Sequence, residues 1–291
     1  MGKLKLGFQK WTDNKREDFY FYNSNYFITS DGVEGLNLAD FNLYTEELAL
    51  TDGAVVTGRS LPARAIKINW ACKNTNPDER DRISRYFSDD LKNRKFMLVA
   101  NYQDNKWYWL DVYLSKFEIT TEAPWHLIKG TLTVTAPNPW FKSNTETCVD
   151  FSSVVGCWGY PFCNTADHSQ PFSYFKYGDY IWCTNNGDVD TYGRFIATFS
   201  GDVSNLTIYQ GYKSQNKYFK INYNFKDKDN LYINFETGQI IINGANAWKY
   251  INLNSQKLFI PKGGGYILIE FTGDKIAVDA HYKWEELYAS I

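Results

Sequence analysis

Apolar residues recur at every second position along most of this chain, a period that suits strands and little else. Ile66, Ile68, Trp70 and Cys72 alternate with Lys67, Asn69 and Ala71, and Tyr108, Leu110, Val112 and Leu114 share one parity. Phe219, Ile221, Tyr223 and Phe225 alternate with Lys220, Asn222, Asn224 and Lys226. Leu231, Ile233 and Phe235 repeat the pattern, as do Ile267, Ile269 and Phe271. Such alternation predicts strands with one apolar and one wet face. A one-residue slip would turn each apolar set toward water, so register is specified by the sequence itself.

One segment breaks the period. Asn76 suits an N-cap, Pro77 the first helical position, and Glu79 the third residue of a capping box. Ile83, Phe87 and Leu91, with Tyr86 beside them, form a stripe opposite Asp81, Arg82, Arg85 and Asp89. This predicts an amphipathic helix over Pro77–Leu91 lying on a sheet. Asp104-Asn105, Thr237-Gly238 and Asp227–Asn230 read as turns. In Ala136-Pro137-Asn138-Pro139-Trp140-Phe141 two prolines end a strand, and a polar stretch, Lys142–Thr147, follows. A chain of 291 residues suits two domains. The expectation is a mainly β protein: residues 1–141, sandwich-like with one α-helix, then an all-β sandwich over 142–291.

The charges bound the function. Lys and Arg total 31 against 33 Asp and Glu, a balance that lacks the basic face nucleic acid demands. No run approaches a membrane span, and Met1–Gly7 lacks a signal peptide's apolar core, so neither membrane insertion nor secretion is expected. Five cysteines (Cys72, Cys148, Cys157, Cys163, Cys183) without C-x-x-C spacing, and only His126, His168 and His281, predict no disulfide framework, no metal and no cofactor. No catalytic motif is present: neither a nucleophile elbow, a phosphate loop, a zinc-protease helix nor a dinucleotide fingerprint. The carboxylate pairs Asp188/Asp190 and Asp227/Asp229 fall in turn-like stretches, where Asp serves backbone hydrogen bonds rather than glycoside hydrolysis. Asn185–Asp190 is oxygen-rich but does not follow the EF-hand order. His126, beside Trp125, reads as structural. No enzyme is expected.

The order of weaker signals carries a resemblance. An N-terminal strand and a long hairpin region lead to Gly53-Ala54 and Arg64-Ala65-Ile66-Lys67-Ile68; the helix, further strands and Pro137-Asn138-Pro139-Trp140-Phe141 follow. This resembles the N-terminal domain of the siphophage tail-component family, which includes the distal tail proteins. The second half, with Leu231–Asn234, the Gly238 turn, Ile240–Gly244, Phe259–Gly263 and Ile267–Ile269, is similar to that family's galectin-like or carbohydrate-module-like sandwich. It departs at Gly263-Gly264-Gly265-Tyr266, and the Cys157–Cys183 segment has no counterpart. The resemblance implies a virion protein assembled in the host cytoplasm: a homo-oligomeric ring, usually of six subunits. Such a ring joins the tail tube protein to a tail-associated lysin or fibre protein, and also to a receptor-binding protein or host saccharide. The N-terminal domains would form the ring and the second domains project outward.

Two surfaces are candidates. For ring contacts, Glu34–Arg64 offers Leu36, Leu38, Phe41, Leu43, Leu48 and Leu50, then a loop over Thr51–Ser60 with Gly53 and Arg59, closing at Arg64. A long hairpin there would reach a neighbour's sheet edge, or else remain an ordinary intradomain hairpin. The second surface is an aromatic segment in a chain that is 18% Phe, Trp and Tyr: Trp158, Tyr160, Tyr177, Tyr180 and Trp182. Its rings would fill a core, anchor a protein or stack on sugars. A stand-alone carbohydrate-binding protein is the alternative to the tail hub.

Overall fold

The computed structural model describes residues 4–291 except 13–14, 24, 38–40, 48–51, 74–76, 89–95, 104–105, 121–126, 157–172, 179 and 212–216. The chain divides into two compact units, Met1–Asn144 with Leu287–Ile291, and Thr145–Glu286. The expected division at 141/142 lies close to the first crossing. The C-terminal residues, assigned from sequence to the second domain, return to the first unit. Residues Lys142–Thr147, polar in sequence, belong to a strand.

The first unit runs β1 (Lys5–Thr12), β2 (Lys15–Tyr20), β3 (Tyr26–Glu34), β4 (Asn42–Glu47), β5 (Ala54–Ser60), β6 (Arg64–Cys72), α1 (Pro77–Ser88), β7 (Phe96–Gln103), β8 (Lys106–Thr120), β9 (Ile128–Ala136) and the start of β10 (Phe141–Asp150). Two strand sets share β8. Its first half pairs with β7, and β1 and β2 extend that side; its second half pairs with β9, which leads to β6 and β3. The long strand changes partner between Val112 and Tyr113, and its register with β9 shifts between Leu114 and Lys116. A strand that passes between sheets in this way turns a corner of the sandwich.

Ile66, Ile68, Trp70 and Cys72 face the core, as their spacing predicts, with Leu110, Val112, Leu132 and Val134. The helix brings Ile83 and Phe87 into this core, where Phe87 meets Phe8 and Phe19 edge to face. Tyr86 Oη donates to Phe8 O and Glu17 O at 3.2 Å, pinning the helix to β1 and β2, and Tyr26 Oη donates to Glu79. The expected cap Asn76 and stripe residue Leu91 lie outside the described residues.

The second unit holds the rest of β10, then β11 (Ser152–Gly156), β12 (Ser173–Tyr177), β13 (Tyr180–Cys183), β14 (Gly193–Phe199), β15 (Val203–Gln210), β16 (Lys217–Ile221), β17 (Asn230–Asn234), β18 (Gln239–Ile242), β19 (Ala245–Asn246), β20 (Gly265–Gly273) and β21 (Val278–Tyr288). One sheet runs β19-β18-β17-β14-β21-β10, the other β13-β20-β15-β16, and β11 pairs with β12. Phe195, Ala197, Leu231, Ile233, Ala280 and Tyr282 from the first sheet pack with Ile181, Cys183, Ile208, Phe219, Ile267 and Ile269 from the second. The unit is a β-sandwich with an inner apolar layer from both sheets. Burial at Phe219, Ile221 and Phe225 follows the predicted parity, but the ladder ends at Ile221 and Phe225 retains a single bridge to Val203.

Among the described residues no helix is long and apolar enough to cross a membrane.

Candidate functional site

The β4–β5 hairpin stands apart from both cores. Its register runs Leu43↔Arg59 and Tyr44↔Gly58, then Thr45↔Val56, Glu46↔Val55 and Glu47↔Ala54. Thr57 is the extra residue of a bulge, and its Oγ1 donates to Tyr44 O at 3.2 Å. Tyr44 lies over Gly58 and its hydroxyl meets Ser60 Oγ at 3.1 Å. The Arg59 guanidinium sits 5.5 Å from the Phe41 ring centre. Tyr, Thr and paired Val supply β propensity, and Gly53, with φ +116°, takes a backbone conformation that L side chains rarely adopt. Thr51–Ser60, expected as a loop, is therefore strand from Ala54 onward, because Val55-Val56-Thr57 favours the pleat.

Among the described residues, both strands of this hairpin are largely exposed. Leu43 is 60% exposed and Val56 56%, with Phe41, Tyr44 and Val55 also exposed. Among the described residues its two strands pair only with each other. A lone two-stranded ribbon is marginally stable in water, and unpaired edges invite another chain. Glu46, Glu47 and Asp52 add exposed acid toward the tip.

Two residues expected at this interface are instead buried at the hairpin's root. Leu36 is 3% exposed and belongs to the core, and Arg64 is 1% exposed. Arg64 Nη1 donates to the carbonyls of Gly35, Leu36 and Asn37 at 3.0, 3.3 and 2.8 Å, and Nη2 to Ala289 O at 2.6 Å. Its guanidinium also lies 4.7 Å from the Phe141 ring centre. Burial lowers its pKa, but a guanidinium stays charged, so it needs these acceptors. The chain entering the hairpin and the chain leaving it are thus held by one side chain. Phe41, Leu43, Gly53 and Arg59 remain at the exposed surface, and Leu38, Leu48 and Leu50 lie outside the described residues.

The aromatic surface is partly visible. Tyr180 and Trp182 lie on the outer face of β13, both about half exposed, and neighbour Tyr266 on β20. Ring centres are 5.7 Å apart for Tyr180–Tyr266 and 4.8 Å for Trp182–Tyr266, both edge to face. Tyr266, which the sequence reading passed over as part of a glycine turn, is the centre of this cluster. Its register opposite Trp182 is the signal that reveals it. Tyr177 lies on β12, while Trp158 and Tyr160 fall outside the described residues.

The oxygen-rich turns are structural. Asn185 is buried, its Nδ2 donating to Val189 O at 2.9 Å, and Asp190 accepts from Lys262 N at 3.0 Å. Asp229 accepts from Lys226 N at 2.8 Å and from Asn243 Nδ2 at 2.7 Å. Beside α1, an open cleft of ≈ 570 Å³ is lined by Asp78, Asp81, Arg82 and Arg85. Helix-neighbour ion pairs occupy these charges, Arg82 with Glu79 and Arg85 with Asp81. His126 lies outside the described residues.

Residues 186–288 match the family described as siphovirus-type tail component, C-terminal domain. Over these residues the match agrees with the siphophage tail-component resemblance of the sequence. The match spans the second unit from the Asn185 turn to β21. The whole fold is similar to the Dit protein of phage SPP1, with TM-score 0.65 and 14% identity over 96% of this chain and 98% of that one. That protein is described as a paradigm of hub adsorption apparatus in phages infecting Gram-positive hosts. A chain of the phage p2 baseplate, in its activated conformation with Ca, aligns over 99% of this chain and 100% of its own, at TM-score 0.56 and 10% identity. A chain of the p2 baseplate in its activated conformation with Sr aligns over 100% of both, at 0.55 and 11%. No curated protein matches the sequence.

Proposed function

We propose that this chain is a structural hub protein of a phage tail tip, working by assembly rather than turnover. Its first unit forms a homo-oligomeric ring, taken as six subunits, in which the β4–β5 hairpin of each copy lies against its neighbour. The second unit is directed outward. On this reading the ring joins the tail tube to the tip protein below, a tail-associated lysin or fibre, and holds the adsorption apparatus, as a component of the virion.

The observation that carries the reading is the hairpin, apolar on its surface and uncovered. Fully burying a large apolar side chain is worth about 1.5–3 kcal/mol. Phe41, Leu43, Tyr44, Val55 and Val56 are each about half exposed. Covering them would therefore contribute roughly 4–7 kcal/mol per hairpin, enough to offset much of the cost of association. Closure into a ring hides every such edge at once. The likeness to the SPP1 and p2 chains supports the same reading.

Light scattering of the purified chain tests it. The expected result is a closed oligomer that Leu43→Asp with Val56→Asp converts to folded monomer. An oligomer unaffected by both charges would refute the hairpin contact.

A second reading rests on the exposed Tyr180, Trp182 and Tyr266 rings: an outer surface that stacks on host saccharide, as in a carbohydrate-binding protein. Glycan binding that Trp182→Ala abolishes, without loss of stability, would establish it. Absent glycan binding by the unaltered chain would dismiss it.

A further inference from the structure

Within the second unit, the outer faces of β10 and β21 bring together three kinds of metal-ligating side chain. Outward positions alternate along both strands: Glu146, Cys148 and Asp150 on β10, and Asp279, His281 and Lys283 on β21. Ligand atoms of Cys148, Asp150 and His281 all fall within 4.8 Å of one another. His281 Nδ1 is 2.5 Å from Asp150 Oδ1, and Cys148 Sγ is 3.6 Å from that same oxygen. The far side of the imidazole is also held: Nε2 lies 3.5 Å from Asp279 Oδ2.

We propose that Cys148, Asp150 and His281 form a three-ligand site for a divalent transition metal ion of the zinc class, with Asp279 orienting the imidazole. The donor set decides the metal class. A thiolate, an imidazole and one carboxylate suit zinc or cobalt, whereas calcium and magnesium require oxygens throughout. The geometry is close to what the ion needs. Bonds of about 2.0–2.3 Å in a tetrahedron place ligand atoms about 3.3–3.8 Å apart. The sulfur–oxygen distance already meets this, the imidazole–carboxylate pair has to open by about 1 Å, and sulfur and the imidazole, within 4.8 Å of each other, have to settle into the same range.

The partners of His281 are arranged as at metal sites. A ligating histidine commonly donates its second N–H to a carboxylate, which fixes the tautomer and the ring plane. The Asp279 carboxylate lies on that side of the ring, 3.5 Å from Nε2, and Nδ1 is turned toward Asp150. Cys148 and Asp150 are exposed and His281 half-buried, so the fourth coordination position opens to solvent for a water or a partner's side chain. Binding forms metal–Sγ, metal–Oδ and metal–Nδ1 bonds; the thiol proton and the proton shared by Nδ1 and Asp150 leave to solvent, and Nε2 carries the imidazole proton on the Asp279 side. Thiolate and carboxylate together balance the ion's charge. Without the ion, burial and the neighbouring Asp150 carboxylate hold the Cys148 thiol above its ordinary pKa, and Lys283 opposes them; the bound cation supplies the charge that favours the thiolate.

Titration of the full chain with Co²⁺, then Zn²⁺, tests the site by absorption spectroscopy. The expected result is one saturable equivalent of cobalt with a thiolate-to-cobalt charge-transfer band and the intense visible bands of tetrahedral cobalt, both displaced by zinc. Cys148→Ser should remove the charge-transfer band. Asp279→Asn should keep that band and weaken binding about 10–100-fold. His281→Gln should weaken binding more than Asp279→Asn does. Circular dichroism confirms the fold of each variant. A band that survives Cys148→Ser, affinities unchanged in both other variants, or absence of saturable binding would overturn the proposal. A readout on the unaltered chain is protection of Cys148 from alkylation, mapped by mass spectrometry. Zinc should slow it at near-stoichiometric concentration and calcium should not; equal rates with and without zinc would overturn the proposal independently of any variant.

Discussion

Replacing Arg64 with Ala removes a side chain that ties the hairpin's two legs to the C-terminal residues. Four carbonyl oxygens accept from its guanidinium, the shortest contacts being Ala289 O at 2.6 Å and Asn37 O at 2.8 Å. A hydrogen bond to a charged group is worth about 1.5–3 kcal/mol, and the desolvation cost of the buried guanidinium cancels part of the sum. Removing the guanidinium leaves carbonyls unsatisfied at about 1–3 kcal/mol each, so a net cost of about 3–5 kcal/mol is expected. The Phe141 contact falls within that range. For a cooperative unit near 150 residues, each kcal/mol shifts the midpoint by about 2–4 °C, so Arg64→Ala should lower it by about 6–20 °C. Differential scanning calorimetry of the purified chain measures this directly. Arg64→Lys, with one ammonium in place of the planar fork, should fall between the two. A midpoint for Arg64→Ala within about 2 °C of the parent would refute the reasoning and return Arg64 to the exposed interface that its sequence position suggested.

Gly35→Ala should destabilise by about 2 kcal/mol or more, measured by urea denaturation. Gly35 has φ +91°, and an added Cβ would lie 2.1 Å from the Ala65 carbonyl oxygen, backbone that cannot swing away. Cys183 should resist alkylation at pH 8 while exposed Cys148 reacts, as mapped by mass spectrometry. Burial pushes the Cys183 thiol up to about 12, so its reactive thiolate is scarce until pH nears that value. Trp182→Ala, about half exposed, should shift the thermal midpoint by no more than about 2 °C; a larger drop would mean the ring serves the core.

The alternation of Ile66, Ile68, Trp70 and Cys72, and of Leu231 and Ile233, was legible because each strand has one dry face and its partners repeat the same parity. The stripe Ile83–Phe87 was legible for the corresponding reason in a helix. Parity misled at Tyr223 and Phe225, where side chains keep alternating after the ladder has stopped, because burial depends on the packed layer and not on backbone pairing. Arg64 misled more. An arginine beside an exposed hairpin reads as surface, and nothing local reveals that its acceptors include a carbonyl 225 residues away. The Cys148–Asp150–His281 cluster was hidden for the same reason: the contact between Asp150 and His281 spans 131 residues, so spacing carried no trace of it. The exposed hairpin residues Leu43 and Arg59 were legible because they lie in a local, self-paired element.

The central claim is that a second copy covers the β4–β5 hairpin. Hydrogen–deuterium exchange, read by mass spectrometry on peptides from Asn42–Glu47 and Ala54–Ser60 in the assembled and the dissociated protein, tests it most directly. The account predicts amides that exchange slowly in the assembly and quickly in the monomer. Equal exchange in both states, with slowing confined to peptides elsewhere, would contradict it.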